Sequence, residues 1–382
     1  MSGGLDRGGG ERCELPLRSG TLQLGQRRIE TRHGPFALHF FRDLAEARLA
    51  MVLVRGDPTT AAPLLARVHS SCLTSECLMG CDCDCAEQQD GALARIARAG
   101  RGVLVYLMQE GRGAGLSAKA RDRMLVQASG NRITTFDAYA EMGLPADLRR
   151  YDAVASIFAM LRIRGPLCLM TNNPEKIAAV ARVLESEKIE IVGSESISGR
   201  RSVFNRDYLH AKRSAGHILE RSDREPGARP PERVRTFDPV VHERDPSRLV
   251  TASYFLPIAL AQQGREPAIE WFRSSVLVER ATGRESIILS RAETAAPSAL
   301  PIPDATDWIS LSLLDRLPVA DAIGRGALAR ALHRIRERGA GSVGVVWDEA
   351  SLPEVAGESA VPGFGDERGR ARASTRSFDD RA

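Results

Sequence analysis

The chain has 382 residues, a formal net charge of +4 and 43% hydrophobic residues, enough apolar content to bury the cores of two or three domains. Its 53 basic residues against 49 acidic ones form a mixed surface, which excludes the basic footprint of a nucleic-acid binder. The opening MSGGLDRGGGER has no apolar signal-peptide core, and no later run approaches the ~18 apolar residues of a membrane span. A cytoplasmic globular protein is expected, with neither nucleic acid nor membrane as partner.

Residues 1–20 are Gly-rich and charged, and are expected to be flexible. In RRIETRHGPFALHFF, the His33-Gly34-Pro35 step predicts a turn between two strands. LAMVLV, from Leu49 to Val54, predicts a buried strand ended by Gly56-Asp57-Pro58, and Arg67 to His69 a second one. Leu93, Ile96 and Ala97 have helical spacing within 86–99, with Gly100 placed to stop the helix. GVLVYLM then reads as a strand running into QEGRGAGL. Helices are predicted over 116–128, over 147–161 and from Pro174, with strands at LCLM and IEIV. Strands separated by helices predict an α/β (α+β mixed) domain over residues 21–219, its ligands at strand ends and loops.

Residues 220–247 are rich in Arg, Asp, Glu and Pro, include GARPPER, and read as a linker. A smaller α+β domain is expected over 248–351: SSVLVERATGRESIILS predicts a hairpin, GALARALHRIRER a helix stopped by Gly339, and SVGVVW a strand. It lacks clustered Cys or His, a P-loop or a nucleophile elbow, so an accessory, regulatory or assembly role is expected. Residues 352–382 have little apolar content and are expected to be disordered.

The stretch of densest chemistry is RVHSSCLTSECLMGCDCDCAEQ, residues 67–88, with five of the seven cysteines. Cys83 and Cys85 stand two apart, so one tight turn can present both sulfurs, and Cys72, eleven residues before Cys83, can supply a third. Three protein ligands leave a position for water, as in a catalytic zinc site, whereas a fourth from Cys77 or Cys81 would close it. A disulfide framework is the weaker alternative for a chain of this length and type.

Thr171-Asn172-Asn173-Pro174 follows a strand and opens a helix, with Asn173 as cap and Pro174 at the first helical position. Free backbone N–H groups there would suit a phosphate, and a plain capped helix is the alternative. Glu110, Gly111 and Arg112 lie in the loop after an apolar strand. A glutamate can accept from the N1–H and 2-amino edge of guanine, and an arginine can clamp phosphate. Asp147 and Arg149 are expected in the first turn of a helix, as solvated charges or as working ones.

RVHSxCLT, CDCxxQ, QEGRG with GL shortly after, GLPADLR and TNNPxK occur in that order at Arg67, Cys83, Gln109, Gly143 and Thr171. Five ordered motifs are far more specific than any one. Over residues 28–218 the chain resembles GTP cyclohydrolase II, the zinc enzyme that opens the imidazole ring of GTP in riboflavin synthesis. The resemblance implies zinc on Cys72, Cys83 and Cys85, release of C8 as formate, and Mg2+ with the nucleotide phosphates. It makes Asp147 the proton acceptor and Arg149 the arginine that attacks the α-phosphate, displacing pyrophosphate. It assigns nucleotide contacts to Arg67, Val68, His69, Ser70, Ser71, Gln88, Glu110, Gly111, Arg112, Thr135, Thr171 and Lys176. Guanine is expected near Glu110, and phosphates near Lys176. NRDYLHAKRSAGHIL resembles the family's closing segment, with Asn205, Tyr208, Lys212 and His217 in register, implying packing and homodimer contact.

Four departures bear on the chemistry. The family usually has glutamate at Ser71, arginine at Asp82 and asparagine at Tyr139, and the tyrosine expected after QEGRG falls on Arg123. A length difference before Thr135 leaves Tyr139 as the alternative phenol. The expected function is GTP ring opening. The alternatives are a paralogue with another purine nucleotide or an earlier stopping point, and a non-catalytic nucleotide-binding regulator.

Overall fold

The computed structural model describes residues 17–219, 226–291, 307–319 and 322–347. Of the flexible stretch expected over 1–20, residues 1–16 lie outside the described residues and Leu17–Arg18 pair with Thr21–Leu22 as a strand; the disorder expected over 352–382 and residues 220–225 of the expected linker also lie outside.

The first half builds one eight-stranded sheet from β1 (Leu17–Arg18), β2 (Thr21–Thr31), β3 (Gly34–Asp43), β4 (Arg48–Arg55), β5 (Leu64–Ser70), β6 (Gly102–Leu107), β7 (Leu167–Met170) and β8 (Ile191–Glu195), in the order β1-β2-β3-β4-β6-β5-β7-β8. Hairpin-linked β1 to β4 run antiparallel, and β6, β5, β7 and β8 are mutually parallel. The central strands β4 and β6 carry near-continuous apolar runs, Leu49–Val54 and Val103–Leu107, because both faces are covered, while neighbouring β5 turns polar at Arg67, His69 and Ser70. In β4, Leu49, Met51 and Leu53 face one cluster and Ala50, Val52 and Val54 the other, the period of two that a strand imposes.

The helices of this half are α1 (Leu73–Glu76), α2 (Cys85–Ala99), α3 (Leu116–Ala128), α4 (Thr135–Glu141), α5 (Asp152–Met160), α6 (Pro174–Leu184) and α7 (Arg206–Ser214). On one face of the sheet α5 and α6 contribute Val154, Phe158, Val180 and Leu184; on the other α2 contributes Leu93 and Ile96. Gly100 stops α2 in the left-handed region at φ 71°.

The helix expected over 147–161 begins only at Asp152, so Asp147 and Arg149 lie on the loop before it. The reason is competition for the backbone. Arg149 N–H donates to the Asp147 carboxylate, Leu148 N–H to the Arg112 carbonyl, and Gln109 brackets Arg150 through both of its backbone groups. Those bonds tie the segment to the loop after β6 and leave nothing for a first helical turn.

The second sheet contains β9 (Val240–Val241), β10 (Arg248–Gln262), β11 (Arg265–Glu279), β12 (Glu285–Arg291), β13 (Asp307–Leu311) and β14 (Gly341–Trp347), in the order β13-β14-β12-β11-β10-β9, with α8 (Ile323–Arg338) packed on it. The hairpin expected around Thr282-Gly283 is β11/β12. Among the described residues no helix is long and apolar enough to cross a membrane.

The two sheets share a core. Leu73, Cys77 and Leu78 near α1 and Leu116, Ala120 and Met124 of α3 lie in one cluster with Tyr254, Leu256, Phe272, Ile287 and Leu332. Backbone pairing also crosses: Cys81 N–H donates to the Pro257 carbonyl and Ala259 N–H to that of Met79, about a bridge between Gly80 and Ile258. Leu313, Leu317 and Val319 return to cover the α2 face of the first sheet. At Gly80 a Cβ would stand 2.7 Å from the Thr74 carbonyl oxygen and 2.9 Å from Leu256 Cδ1. Gly80→Ala is therefore expected to destabilise the chain by about 1–3 kcal/mol. Urea unfolding followed by far-UV circular dichroism and by the fluorescence of Trp271, Trp308 and Trp347, all in the second sheet, should give one shared transition that shifts for both signals. Separate transitions would show that the common core does not couple the halves.

Candidate active site

Beyond the end of β5, Cys72 caps α1, while Cys83 and Cys85 sit at the start of α2; all three sulfurs lie within 4.8 Å of one another. Cys72 and Cys83 Sγ are 3.6 Å apart, well beyond the ~2.05 Å of a disulfide. Cys77 and Cys81 turn away, toward the carbonyls of Asp315 and Pro257, and burial raises both thiols, that of Cys81 to about 12. Sulfur contacts with Cys83 and Cys85, joined by the Lys119 ammonium 3.1 Å away, hold the Cys72 thiol well below its ordinary range despite burial. Three convergent sulfurs with no fourth carboxylate, histidine or cysteine among the described residues fit a thiophilic ion with one open position.

A buried carboxylate holds this corner in shape. Glu76 takes His69 Nε2 at 2.7 Å, the Tyr106 hydroxyl at 2.5 Å and the Cys72 N–H at 3.1 Å. His69 therefore orients the metal corner through Glu76, with its ring stacked on Tyr106.

Beside the cluster lies a cavity of about 360 Å³ whose lining includes Cys85, five cations (Arg67, Arg112, Arg149, Lys176 and Lys212), and only Asp147 and Glu175 as carboxylates. Arg67 is fixed by the Met170 carbonyl at 2.7 Å and Gln88 Oε1 at 2.8 Å, and burial lowers it to about 10. Lys176 Nζ rests on the Val68 carbonyl at 3.1 Å, and burial, then Arg149 and Arg67, depress it strongly. His217 is pushed down to about 4 by burial and by Lys212. Arg67 and Lys176 thus lack a carboxylate partner, whereas Arg149 and Lys212 are paired with Asp147 and Asp84; an anion in the cavity would answer the first two. The free N–H groups expected at the opening of α6 are not free, however: Asn173 accepts from Glu175 and Lys176 N–H, and Pro174 has none to offer. Side-chain cations, not the helix end, face the cavity. Thr171 lines it, and Val68 contributes only its backbone, its side chain being in the core.

A smaller cavity of about 90 Å³ adjoins the first, sharing Ser70, Cys85, Arg112, Arg149 and Tyr208 with it. Ser71, Cys72, Glu110, Gly111 and Thr135 also line it. Arg112 occupies the left-handed region at φ 53°, its guanidinium 4.0 Å over Phe136 and bonded to the Thr135 hydroxyl at 3.3 Å. Thr135 donates in turn to Asp122 at 2.7 Å. Glu110, expected to read guanine, is already engaged inside the protein. Its oxygens already accept from Lys119 Nζ (2.8 Å), Leu73 N–H (2.6 Å) and Gly111 N–H (3.1 Å), so little acceptor capacity is left for a base.

Two of the four sequence departures meet here. Arg123 Nε stands 3.2 Å from Asp82 Oδ2. Arg123 also lies 4.8 Å from the centre of the Tyr208 ring, whose other cationic neighbour, Lys212, is at 4.5 Å. Tyr139 reaches the smaller cavity, but its hydroxyl donates to the Gly111 carbonyl at 2.6 Å. Sequence reasoning missed Lys119, in the first turn after the GRGAG loop, and Asp84, which pairs with Lys212 at 3.2 Å and accepts from Gln88 at 2.8 Å. Lys119 was discoverable, since QEGRGAGL places it one turn into a helix beside the glycine loop.

The geometry describes a cluster of three cysteines that could hold a metal ion, opening onto a cavity lined by five cationic side chains. The family described as GTP cyclohydrolase II matches residues 23–195. GTP cyclohydrolase-2 of Shewanella amazonensis is 37% identical over 193 residues, which are 50% of this chain and 90% of that one. GTP cyclohydrolase-2 of Pseudomonas paraeruginosa is 39% identical over the same length and the same shares. Riboflavin biosynthesis protein RibBA of Chlorobium phaeovibrioides is 40% identical over 192 residues, 50% of this chain and 45% of that one. This chain belongs to the GTP cyclohydrolase II family. The crystal structure of RibBX, a two-domain 3,4-dihydroxy-2-butanone 4-phosphate synthase from A. baumannii, aligns with 48% of this chain and 41% of that one at 18% identity and a TM-score of 0.27, too low to bear on the fold.

Burial presses the Asp147 carboxyl upward, but the hydrogen bonds and charge of Arg149 outweigh it and hold the group below its ordinary value. Arg149→Gln should leave burial less opposed and raise the Asp147 pKa. Carboxyl carbon NMR titration reads this, and an unchanged midpoint would show that Arg149 does not set the charge.

Proposed function

We propose that this chain hydrolyses GTP at two places, opening the imidazole ring with release of formate and removing pyrophosphate, to give a diaminopyrimidinone ribosylamine phosphate. The observation that carries this reading is that the three-sulfur cluster and the five-cation cavity adjoin, with Cys85 on the wall of both cavities, so one nucleotide can reach both. Zinc held by Cys72, Cys83 and Cys85 would supply Lewis acidity for hydrolysis at C8. Arg67, Lys176 and Arg149 would hold the phosphates, with Mg2+ accompanying them. Asp147, ionised and beside Arg149, would accept the proton of the water that adds to the α-phosphorus as pyrophosphate leaves. The strengthened pairing with Asp147 raises the Arg149 pKa, which favours a clamping cation over a nucleophile. Glu110 would hold Lys119 and the start of α1 in place, and the selection of guanine would fall to other groups.

A second reading has its own observation. The Asp82–Arg123 pair occupies the ground of the expected tyrosine, and an arginine stays cationic and cannot donate the proton that a phenol can. Pyrophosphate release would then persist while formate release is slow. Mass spectrometry of products from the purified chain with zinc, magnesium and each nucleoside triphosphate tests both readings. Equal turnover of ATP and GTP would sink the guanine assignment, and no formate from any of them would sink ring opening. Because removing one partner of a buried pair costs about 3–5 kcal/mol, the useful variant is the double exchange Asp82→Arg with Arg123→Tyr. It should speed formate relative to pyrophosphate by on the order of 10²-fold.

For the metal, one zinc per chain is expected by elemental analysis. Cys83→Ser should lose it and Cys77→Ser should keep it, and full zinc content in the first variant would refute the ligand set.

A further inference from the structure

Helix α3 has no cap of its own. Its N-cap is Gly115, at φ 96° and without a side chain, and its first turn contains no acidic residue. Orphan N–H groups at a helix start need acceptors. Here the acceptor arrives from β12 of the second sheet: Glu285 Oε1 takes the Ser117 N–H at 2.8 Å and Oε2 the Leu116 N–H at 3.3 Å. The carboxylate also places negative charge at the positive end of the helix. Lys119 belongs to that same first turn, and its ammonium bridges Cys72 Sγ and Glu110.

The rest of α3 is held from the same side. Arg121 donates to the Thr251 and Phe237 carbonyls at 3.0 and 3.2 Å, and Gln127 brackets the backbone of Phe255 at 2.7 and 2.8 Å. The facing arm of the site is held by β10, whose Pro257 carbonyl takes the Cys81 N–H two residues before Cys83. Both walls of the cluster thus hang from the second sheet.

We infer that the second sheet is a working part of the catalytic site, and that Glu285 is a positioning residue that sets Lys119 against Cys72 by capping α3. This rests on the cyclohydrolase reading. Loss of the cap should fray the first turn and free Lys119, while the phosphate cavity, which lies against α6 and α7, is left intact.

The test compares the full chain with Glu285→Ala, Glu285→Gln and Glu285→Ala/Ala118→Asp, the last supplying a local acidic group at the third helical position. In Glu285→Ala the Ser117 amide should exchange with solvent roughly five- to thirtyfold faster, and the Lys119 ammonium NMR signal should move toward that of exposed lysines. For formate release kcat should fall on the order of tenfold, with KM for GTP constant within about twofold. Glu285→Gln, which keeps an acceptor, and the double variant should each recover most of kcat. Faster exchange with unchanged kcat, an unmoved Lys119 signal, or a double variant that restores slow exchange but not kcat would each overturn the inference. A native chain that releases no formate would count against the cyclohydrolase reading alone, because the exchange and Lys119 signals report the cap without turnover.

Discussion

The Lys119 ammonium lies 3.1 Å from the Cys72 sulfur and 2.8 Å from Glu110, and much of the surrounding architecture serves to make that contact possible. A buried ammonium is costly unless its charge is answered. Here the cluster of Cys72, Cys83 and Cys85 and the Glu110 carboxylate answer it, raising the Lys119 pKa well above normal against the pull of burial. The contact joins the loop after β5 to two adjoining segments some forty residues further on, the glycine loop after β6 and the first turn of α3. Each is then tied elsewhere, the first to Glu76, the second to the 147–150 loop and the third to Glu285.

The anion cavity follows the opposite principle. Lys176 has a carbonyl for a partner and no carboxylate, and its neutral form is favoured by burial and by like charges. A bound anion would supply the counter-charge that Lys176 lacks and favour its ammonium form. The cluster side is internally compensated; on the cavity side Arg149 and Lys212 are paired with Asp147 and Asp84, and Arg67 and Lys176 rest on carbonyl and amide oxygens instead of carboxylates.

What was legible in the sequence depended on locality. Elements fixed by a short pattern and a stop signal, such as α2 with Gly100 or α6 with Asn173 and Pro174, stand within a residue or so of their reading. Asp147 and Arg149 were legible as neighbours but not as loop residues, because the bonds that unwind their segment come from Gln109 and Arg112, some forty residues away. Glu110 was legible as a buried acceptor but not as one already filled, since the donors from Leu73 and Lys119 appear only when the chain folds. The second sheet was readable as a hairpin, a helix and a strand; nothing local announced that its residues share a core with α3.

The Asp82–Arg123 pair shows how a site can change its chemistry and keep its shape. An arginine alone in the place expected for a tyrosine would be a buried cation near the sulfurs. A glycine or alanine at 82 would leave it unanswered. With aspartate at that position the charge is met at 3.2 Å, and the guanidinium can lie against the Tyr208 ring, an arrangement worth more as water is excluded. The two departures therefore make one physical event, an acid and a base introduced together across the cavity wall. A phenol there could pass a proton, whereas a guanidinium stays cationic and cannot; Tyr208, though held between Arg123 and Lys212, has its phenol raised by burial, so it does not take over that role as a ready phenolate.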